Sequence, residues 1–327
     1  MRQAGRYQKE YRAIRENHSL IEICRTPDLA AEVTLLPVRQ TEFDAAIIFG
    51  DLMLPLEGLG VPFELKENVG PVIAAPIRSE AQVKALRAFD PGRDVPYLLE
   101  AIRIVRRELD GRLPLIGFAG APFTMAAYLV EGRGSRDYRH TKALMLSRPD
   151  LWSELMTRLA DAVAAYLRAQ VAAGAQAVQI FDSWVGCLAP PDYAASVLPH
   201  MRRLFAALAG IGVPVIHFGT GTATLLPLMA EAGGDVIGVD WRIDLGAAWD
   251  LAGRSRAVQG NLDPAVLFAE WGTVRARAAA VLASAGGRPG HVFNLGHGVL
   301  PGTPPDMVRR VVDFVHEAPP ARDGAGA

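Results

Sequence analysis

Seven short runs of apolar residues, alternating with long helical patterns, constrain this chain more than any other feature. The runs are Ala45–Phe49, Leu115–Phe118, Ala177–Phe181, Val215–Phe218, Val236–Val239, Ala257–Gln259 and His291–Leu295, each apolar through its middle. A strand with one wet face alternates apolar and polar residues. These runs do not, so both faces must be covered, as in a parallel sheet flanked by helices. Between them, Leu151, Leu155, Leu159, Val163 and Leu167 recur at helical spacing over Leu151–Val171, and Gly174 is placed to end that helix. Asp263-Pro264 and Thr303-Pro304 each put a capping side chain before a proline at the first helical position.

The alternation has no composition break, no Ser/Gly linker and no low-complexity segment, so residues 1–316 read as one α/β domain. The strand count points to a single (β/α)8 barrel, TIM-like but distorted, because no eighth strand stands out; a doubly wound open sheet is the competing topology. Val61–Ile77, with Asn68, Gly70 and Pro71 in its middle, reads as a hairpin excursion after the first strand. Residues 317–327, rich in Pro, Ala and Gly, read as a disordered tail.

Composition excludes several function classes. The formal net charge is −1, and the basic residues are not pooled in one block, so nucleic acid is not an expected partner. Cys24 and Cys187 lie in apolar surroundings without a partner at redox or metal-ligand spacing, which points to a reducing cytoplasm and against a disulfide framework. No stretch approaches the roughly 20 apolar residues of a membrane span, and the N-terminal arginines precede no apolar core of a signal peptide.

In a parallel α/β sheet, chemistry belongs at the carboxyl ends of the strands. Polar residues converge there. Phe49-Gly50-Asp51 follows the first run, and Ala119-Gly120 leads on to Tyr128 after the second. Asp182-Ser183, His217 with Gly219-Thr220-Gly221, Asp240-Trp241-Arg242, Gly260-Asn261 and Asn294 to Gly298 follow the others. Each has a plain structural explanation: Asp51 and Ser183 could cap helices, and Tyr128 could pack its ring in a helix interface. His297, between two glycines, is harder to assign to a core, because the glycines let the backbone turn or approach closely and present the imidazole to a cleft.

The glycines at 219–221 lack the third glycine of a dinucleotide fingerprint and the lysine of a P-loop. None of the four lysines, Lys9, Lys66, Lys84 and Lys142, stands at a strand end, so a Schiff-base nucleophile is missing. No His-x-His, His-x-Cys or His-x-x-x-His pair exists among the seven histidines, so no metal site is expected. Cofactor-free acid–base work by arginine, carboxylate, tyrosine and histidine is the remaining chemistry.

The first sixteen residues supply the arginines. Met1 to Tyr7 places Arg2 and Arg6 four residues apart on a segment containing Gly5, and Arg12 and Arg15 come soon after. Guanidinium forks hold carboxylates through paired hydrogen bonds and stay charged at any relevant pH, so residues 1–16 are candidates for gripping a polyanion at the mouth of the site. An ordinary solvated N-terminus would carry the same charges.

Several long motifs in order decide between these explanations. MRQAGRY at 1–7, FGDLMLPLEGLG at 49–60, GFAGAPFTMAAYLVEG at 117–132, QIFDSWVG at 179–186, QGNLDP at 259–264 and FNLGHG at 293–298 together resemble the uroporphyrinogen decarboxylase family over nearly the whole chain. That resemblance implies a distorted (β/α)8 barrel acting as a homodimer without metal or prosthetic group. It further implies a substrate, uroporphyrinogen III, whose four acetate side chains become methyl groups with release of CO2. By the same resemblance Asp51 accepts hydrogen bonds from the pyrrole nitrogens, Arg2, Arg6 and Arg15 stand at the substrate mouth, and Tyr128, Ser183 and His297 line it. Arg2, Asp51, Tyr128 and His297 are the catalytic candidates, with Arg2 as proton donor and Tyr128 and His297 in reserve.

This chain departs from the family pattern at Gly50, where serine is common, and at Gln8-Lys9, where Leu-Pro is usual. The family also carries a strand-like segment ahead of the first motif; if the chain begins at Met1, Arg2 is expected on a free end. Two other classes compete with the decarboxylase: a corrinoid–thiol methyltransferase of the same superfamily, which would need a His-x-Cys zinc motif that this chain lacks, and a catalytically silent tetrapyrrole-binding protein.

Overall fold

A computed structural model describes residues 2–66 and 70–318. Nine strands form in chain order: β1 (Ala46–Ile47), β2 (Glu64–Lys66), β3 (Gly70–Val72), β4 (Leu115–Gly120), β5 (Ala177–Asp182), β6 (Val215–Gly219), β7 (Val236–Gly238), β8 (Ala257–Leu262) and β9 (His291–Leu295). Seven of them build one parallel sheet in the order β1-β4-β5-β6-β7-β8-β9, curled and covered by helices. All seven sequence-expected runs are in it, because each lacks the polar alternation that would tolerate a wet face. β2 and β3 pair antiparallel outside this sheet; residues 67–69, and Asn68 with them, lie outside the described residues.

The helices obey the same logic. The longest, Pro149–Ala173, buries Leu151, Leu155, Leu159, Val163 and Leu167 along one stripe and stops at Gly174, whose φ is +123°. Its far end reaches into the sheet. Gln170 is fully buried, accepting the Phe118 N–H and donating to the Phe118 carbonyl, both at 2.8 Å. An amide that satisfies a strand residue on both sides locks helix to sheet; each such bond is worth about 1 kcal/mol net and costs more if left half-made.

Two expected helix starts differ in detail. Asp263 does cap, its carboxylate accepting the Ala265 N–H at 2.9 Å, but the element it opens is a 3-10 helix, Pro264–Phe268. The last helix begins at Pro305, with Pro304 as its cap residue and Thr303 donating instead to the Leu300 carbonyl. Two consecutive prolines explain the shift: the second occupies the first helical turn, where its missing N–H costs nothing. That helix runs to Glu317; residues 319–327 of the expected tail lie outside the described residues.

Between β9 and β1 no eighth strand is found among the described residues; a cavity of about 500 Å³ opens there, and the N-terminal segment borders it. Gln3 spans the β1 edge, its Nε2 donating to the Ala45 carbonyl at 2.7 Å and its Oε1 accepting the Ile47 N–H at 3.1 Å. From the β9 side, the Val299 N–H donates to the Arg2 carbonyl at 3.3 Å. A side-chain amide thus takes the ladder position a neighbouring strand would fill, and it fixes where Arg2 stands.

Candidate active site

Four of the sequence-predicted residues, Arg2, Asp51, Ser183 and His297, line one cavity of about 230 Å³. They come from four separate places: the N-terminal segment and the loops after β1, β5 and β9. These three loops leave the carboxyl ends of parallel strands, which is why distant residues meet there.

Asp51 is held by its own turn. Its Oδ1 accepts the Met53 N–H at 2.9 Å, an Asx turn, and the helix Leu54–Gly58 begins only afterwards with no side-chain cap. Burial pushes its carboxyl pKa above the ordinary value, opposed by the Met53 N–H and the Arg2 charge. The result is a carboxylate with one oxygen anchored, set in a poorly hydrated place where a cationic or N–H donor ligand would be favoured.

Arg2 presents open side-chain surface, yet the surrounding protein desolvates its guanidinium enough to lower the pKa. Arg6 lowers it further, while Tyr11 and Asp51 oppose the shift. Gly298 makes room for it: a Cβ there would lie 2.9 Å from the Arg2 Cβ and 3.1 Å from its Nε. His297 is driven toward its neutral form by burial first and then by the Arg2 charge.

Ser183 is pinned through its neighbours. Its carbonyl accepts the Thr220 hydroxyl, and the next N–H, of Trp184, donates to Thr124 Oγ1 at 3.3 Å. The 3-10 turn that follows, Val185–Cys187, takes Trp184 and not Ser183 as its cap residue.

Tyr128 does not line this cavity. It lies in the helix Pro122–Glu131 after β4, with its ring centroid 5.9 Å from that of Trp184. Its phenol is pushed up to about 12 by burial and then by the Asp51 charge, so it stands within electrostatic reach as a neutral hydroxyl. Arg6 is exposed beside Arg2, near enough for its charge to act on it. Arg15 does not line the cavity: its Nη1 donates to the His18 carbonyl at 2.7 Å, closing the end of the helix Lys9–Asn17.

Sequence reading missed the floor. Phe118 and Phe181 line the cavity, and Phe118, Phe181 and Phe218 form an edge-to-face series across β4, β5 and β6 with successive centroids 5.7 Å apart. Phe181 and Phe218 are directly paired in the sheet, which the phenylalanines near the ends of three successive runs could have signalled. The Phe118 and Phe181 rings give the cavity an apolar floor against which a ring system can pack. Gln3 was also missed, since a lone glutamine in an N-terminal segment carries no pattern. Among the described residues no three His, Cys, Asp or Glu side chains gather as a metal set. No described helix is long and apolar enough to cross a membrane.

Comparison with known proteins accords with this geometry. A solved methyltransferase from Methanosarcina mazei superposes with a TM-score of 0.74 over 90% of this chain and 87% of its own, at 20% identity, a likeness of fold. Uroporphyrinogen decarboxylases are far nearer in sequence: that of Sorangium cellulosum is 57% identical over 98% of this chain and 92% of its own length. That of Carboxydothermus hydrogenoformans is 54% identical over 97% and 91%, and that of Streptomyces coelicolor 55% over 97% and 88%. The family model described as "Uroporphyrinogen decarboxylase (URO-D)" matches residues 1–318. A match of that length, together with relatives above half identity across nearly the whole chain, places this protein in the uroporphyrinogen decarboxylase family.

Proposed function

We propose that this protein is a carboxy-lyase that converts the four acetate side chains of uroporphyrinogen III to methyl groups, giving coproporphyrinogen III and CO2. The observation that carries the reading is the shared cavity of Arg2, Asp51 and His297 above the Phe118 and Phe181 rings. A macrocycle bearing many carboxylates needs cations at its rim, an acceptor for its central N–H groups and an apolar bed for its rings.

Each turnover begins with protonation of a pyrrole carbon, which makes that ring cationic. The bond between the acetate methylene and its carboxylate then breaks, its electron pair enters the ring and CO2 leaves. The methylene carbon takes a proton to become methyl, and the proton first added to the ring carbon leaves, which restores the neutral pyrrole. The net change consumes one proton per acetate, and the electron sink is the substrate's own ring. Asp51 accepts from the pyrrole N–H groups and stabilises the cation as it forms, an effect of fixed charge in a site that excludes water. Arg2 is the proton donor, and desolvation lowers its hold on that proton. Arg6 and Arg15 steer and clamp peripheral carboxylates; Ser183, Tyr128 and His297 complete the polar lining. Tyr128 and His297 act as neutral hydrogen-bonding groups at pH 7, the phenol because its pKa is raised and the imidazole because its pKa is lowered.

Within the same reading, residues 1–316 act as one catalytic domain, a distorted (β/α)8 barrel whose open side is bordered by the Gln3 contact, with the β2–β3 pair an excursion from it. The assembly is a homodimer in the cytoplasm, carried over from the family resemblance.

Anaerobic incubation of the protein with uroporphyrinogen III, then separation of the oxidised porphyrins by carboxylate number, tests the activity. The four-carboxylate product should accumulate; binding without any loss of carboxylate would leave only a tetrapyrrole-binding protein. Gly298→Ala should lower kcat/KM by about tenfold to a hundredfold, since the new Cβ displaces Arg2 and small misplacements are costly in catalysis. Wild-type kinetics from a folded Gly298→Ala protein would remove Arg2 from the chemistry.

A further inference from the structure

The loop that carries His297 is gripped from two sides. Gly298 faces Arg2, and on the other side a Cβ at Gly296 would lie 2.6 Å from the backbone nitrogen of Trp241. Trp241 therefore packs directly on this loop, and Arg242 is next to it in the chain. The Arg242 charge reaches the imidazole, acting on His297 in the same direction as Arg2. Two arginines far apart in the chain act on one histidine.

Arg242 is built into place. Asp240, 2% exposed, accepts the Gly221 N–H at 2.7 Å and the Arg242 backbone N–H at 3.1 Å, and its Oδ2 also accepts from the Arg242 guanidinium. The buried Asn261 amide donates to the Asp240 carbonyl at 2.9 Å and to the Ile243 carbonyl at 2.7 Å, fixing the backbone on both sides of Arg242. The guanidinium carbon lies 4.3 Å from the centre of the Trp241 ring. Yet the side chain is 52% exposed. A guanidinium has five N–H donors, and among the described residues only Asp240 takes one of those on Arg242. An arginine held at its root, stacked on one face and open at its tip is pre-organised to receive a carboxylate, because little side-chain entropy remains to be lost on binding.

We propose that Arg242 forms a further anion subsite of the same mouth, binding a peripheral carboxylate of a polycarboxylate substrate on the side of His297 opposite Arg2. The subsite deepens the decarboxylase reading and rests on it for the identity of the ligand. Arg242 does not line the cavity that holds Asp51, so its contribution falls on substrate affinity and on preference for more heavily carboxylated rings.

The test compares wild type, Arg242→Gln and Arg242→Lys by fluorescence titration with two oxidised porphyrins, uroporphyrin with eight carboxylates and mesoporphyrin with two. Loss of one charge-assisted contact should raise the Kd for uroporphyrin about tenfold in Arg242→Gln and leave that for mesoporphyrin unchanged, with Arg242→Lys falling between the two because it keeps the charge and loses the stacked fork. In turnover, KM for uroporphyrinogen should rise and kcat should hold. Unchanged uroporphyrin binding, or equal weakening of both porphyrins, would overturn the subsite and leave Arg242 as the partner of Asp240 alone. If Arg242→Gln fails to fold with its carboxylate stranded, the double variant Asp240→Asn, Arg242→Gln removes both charges and reads the same ratio of Kd values. The two readings separate cleanly: turnover by wild type with no selective Kd change sinks the subsite alone, and a selective Kd change without turnover sinks the decarboxylase alone.

Discussion

Asp51→Asn is expected to lower kcat on uroporphyrinogen III by about a thousandfold while leaving the fold and thermal midpoint nearly unchanged. The Asx turn survives, because an asparagine Oδ1 can accept the Met53 N–H as the aspartate does. The substitution removes the negative charge at the place where the positive charge of the protonated ring develops. Removing one preorganised electrostatic stabiliser typically costs about 10²–10³ in kcat. The local setting argues for the upper part of that range, since burial is the largest influence on the Asp51 carboxyl and little water is present to take its place. Single-turnover kinetics under anaerobic conditions measure the effect on chemistry apart from binding. A rate within threefold of wild type would end the assignment of Asp51 as the group that stabilises the cation.

The second large effect is on stability, one residue before Ser183. Asp182 is fully buried at the end of β5; its Oδ1 accepts the Thr124 hydroxyl at 2.9 Å, and its Oδ2 has no hydrogen-bond partner among the described residues. Burial pushes this carboxyl up to about 7, against an ordinary value of 3.8. The native state therefore holds a proton that the unfolded chain releases between pH 3.8 and 7. Its contribution is fully present below 3.8 and is lost as pH rises through 7, about 4 kcal/mol in all.

His217, buried in β6 against Phe205, works in the opposite sense. Burial lowers it to about 4 from 6.5, so its contribution is present above 6.5 and is lost as pH falls through 4, about 3 kcal/mol. In the wild type the two titrations nearly cancel across pH 4–7. Asp182→Asn keeps the acceptor for Thr124 and removes one of them. Relative to wild type, the Asn variant should therefore gain several kcal/mol of stability between pH 4 and pH 8, read from urea unfolding at each pH. A difference that stays flat with pH would show that Asp182 is ionised in the folded protein.

The two carboxylates show where sequence reading reached and where it stopped. Asp51 was identifiable because it comes directly after an apolar run and stands inside FGDLMLPLEGLG, so strand, loop and chemistry are adjacent in the chain. Asp182 was placed correctly at a strand end, but the burial that raises its pKa comes from packing that no local pattern encodes, and Thr124, whose hydrogen bond opposes that shift, is fifty-eight residues away. Similarly, Arg2 and Arg6 were legible as a pair, whereas the contact that holds Arg2, Gln3 on the β1 edge, joins residues more than forty positions apart. Tyr128 stands inside a motif as Arg2 does, and Arg15 was expected at the mouth by the same resemblance, yet neither lines the 230 Å³ cavity. Helix geometry aims Tyr128 at Trp184, and Arg15 is engaged by the end of its own helix.

By itself the sequence determined the class of fold, the strands and the chemical inventory, because two-sided burial demands unbroken apolar runs and helices demand their own period, both of which are local properties of the chain. Tertiary structure alone decided which edge the N-terminal segment fills, which of the polar residues share a cavity, and which cations are spent on the protein's own carbonyls. Those outcomes depend on contacts between distant residues, in which burial and charge at one position are set by side chains from other elements, and no periodicity along the chain records them.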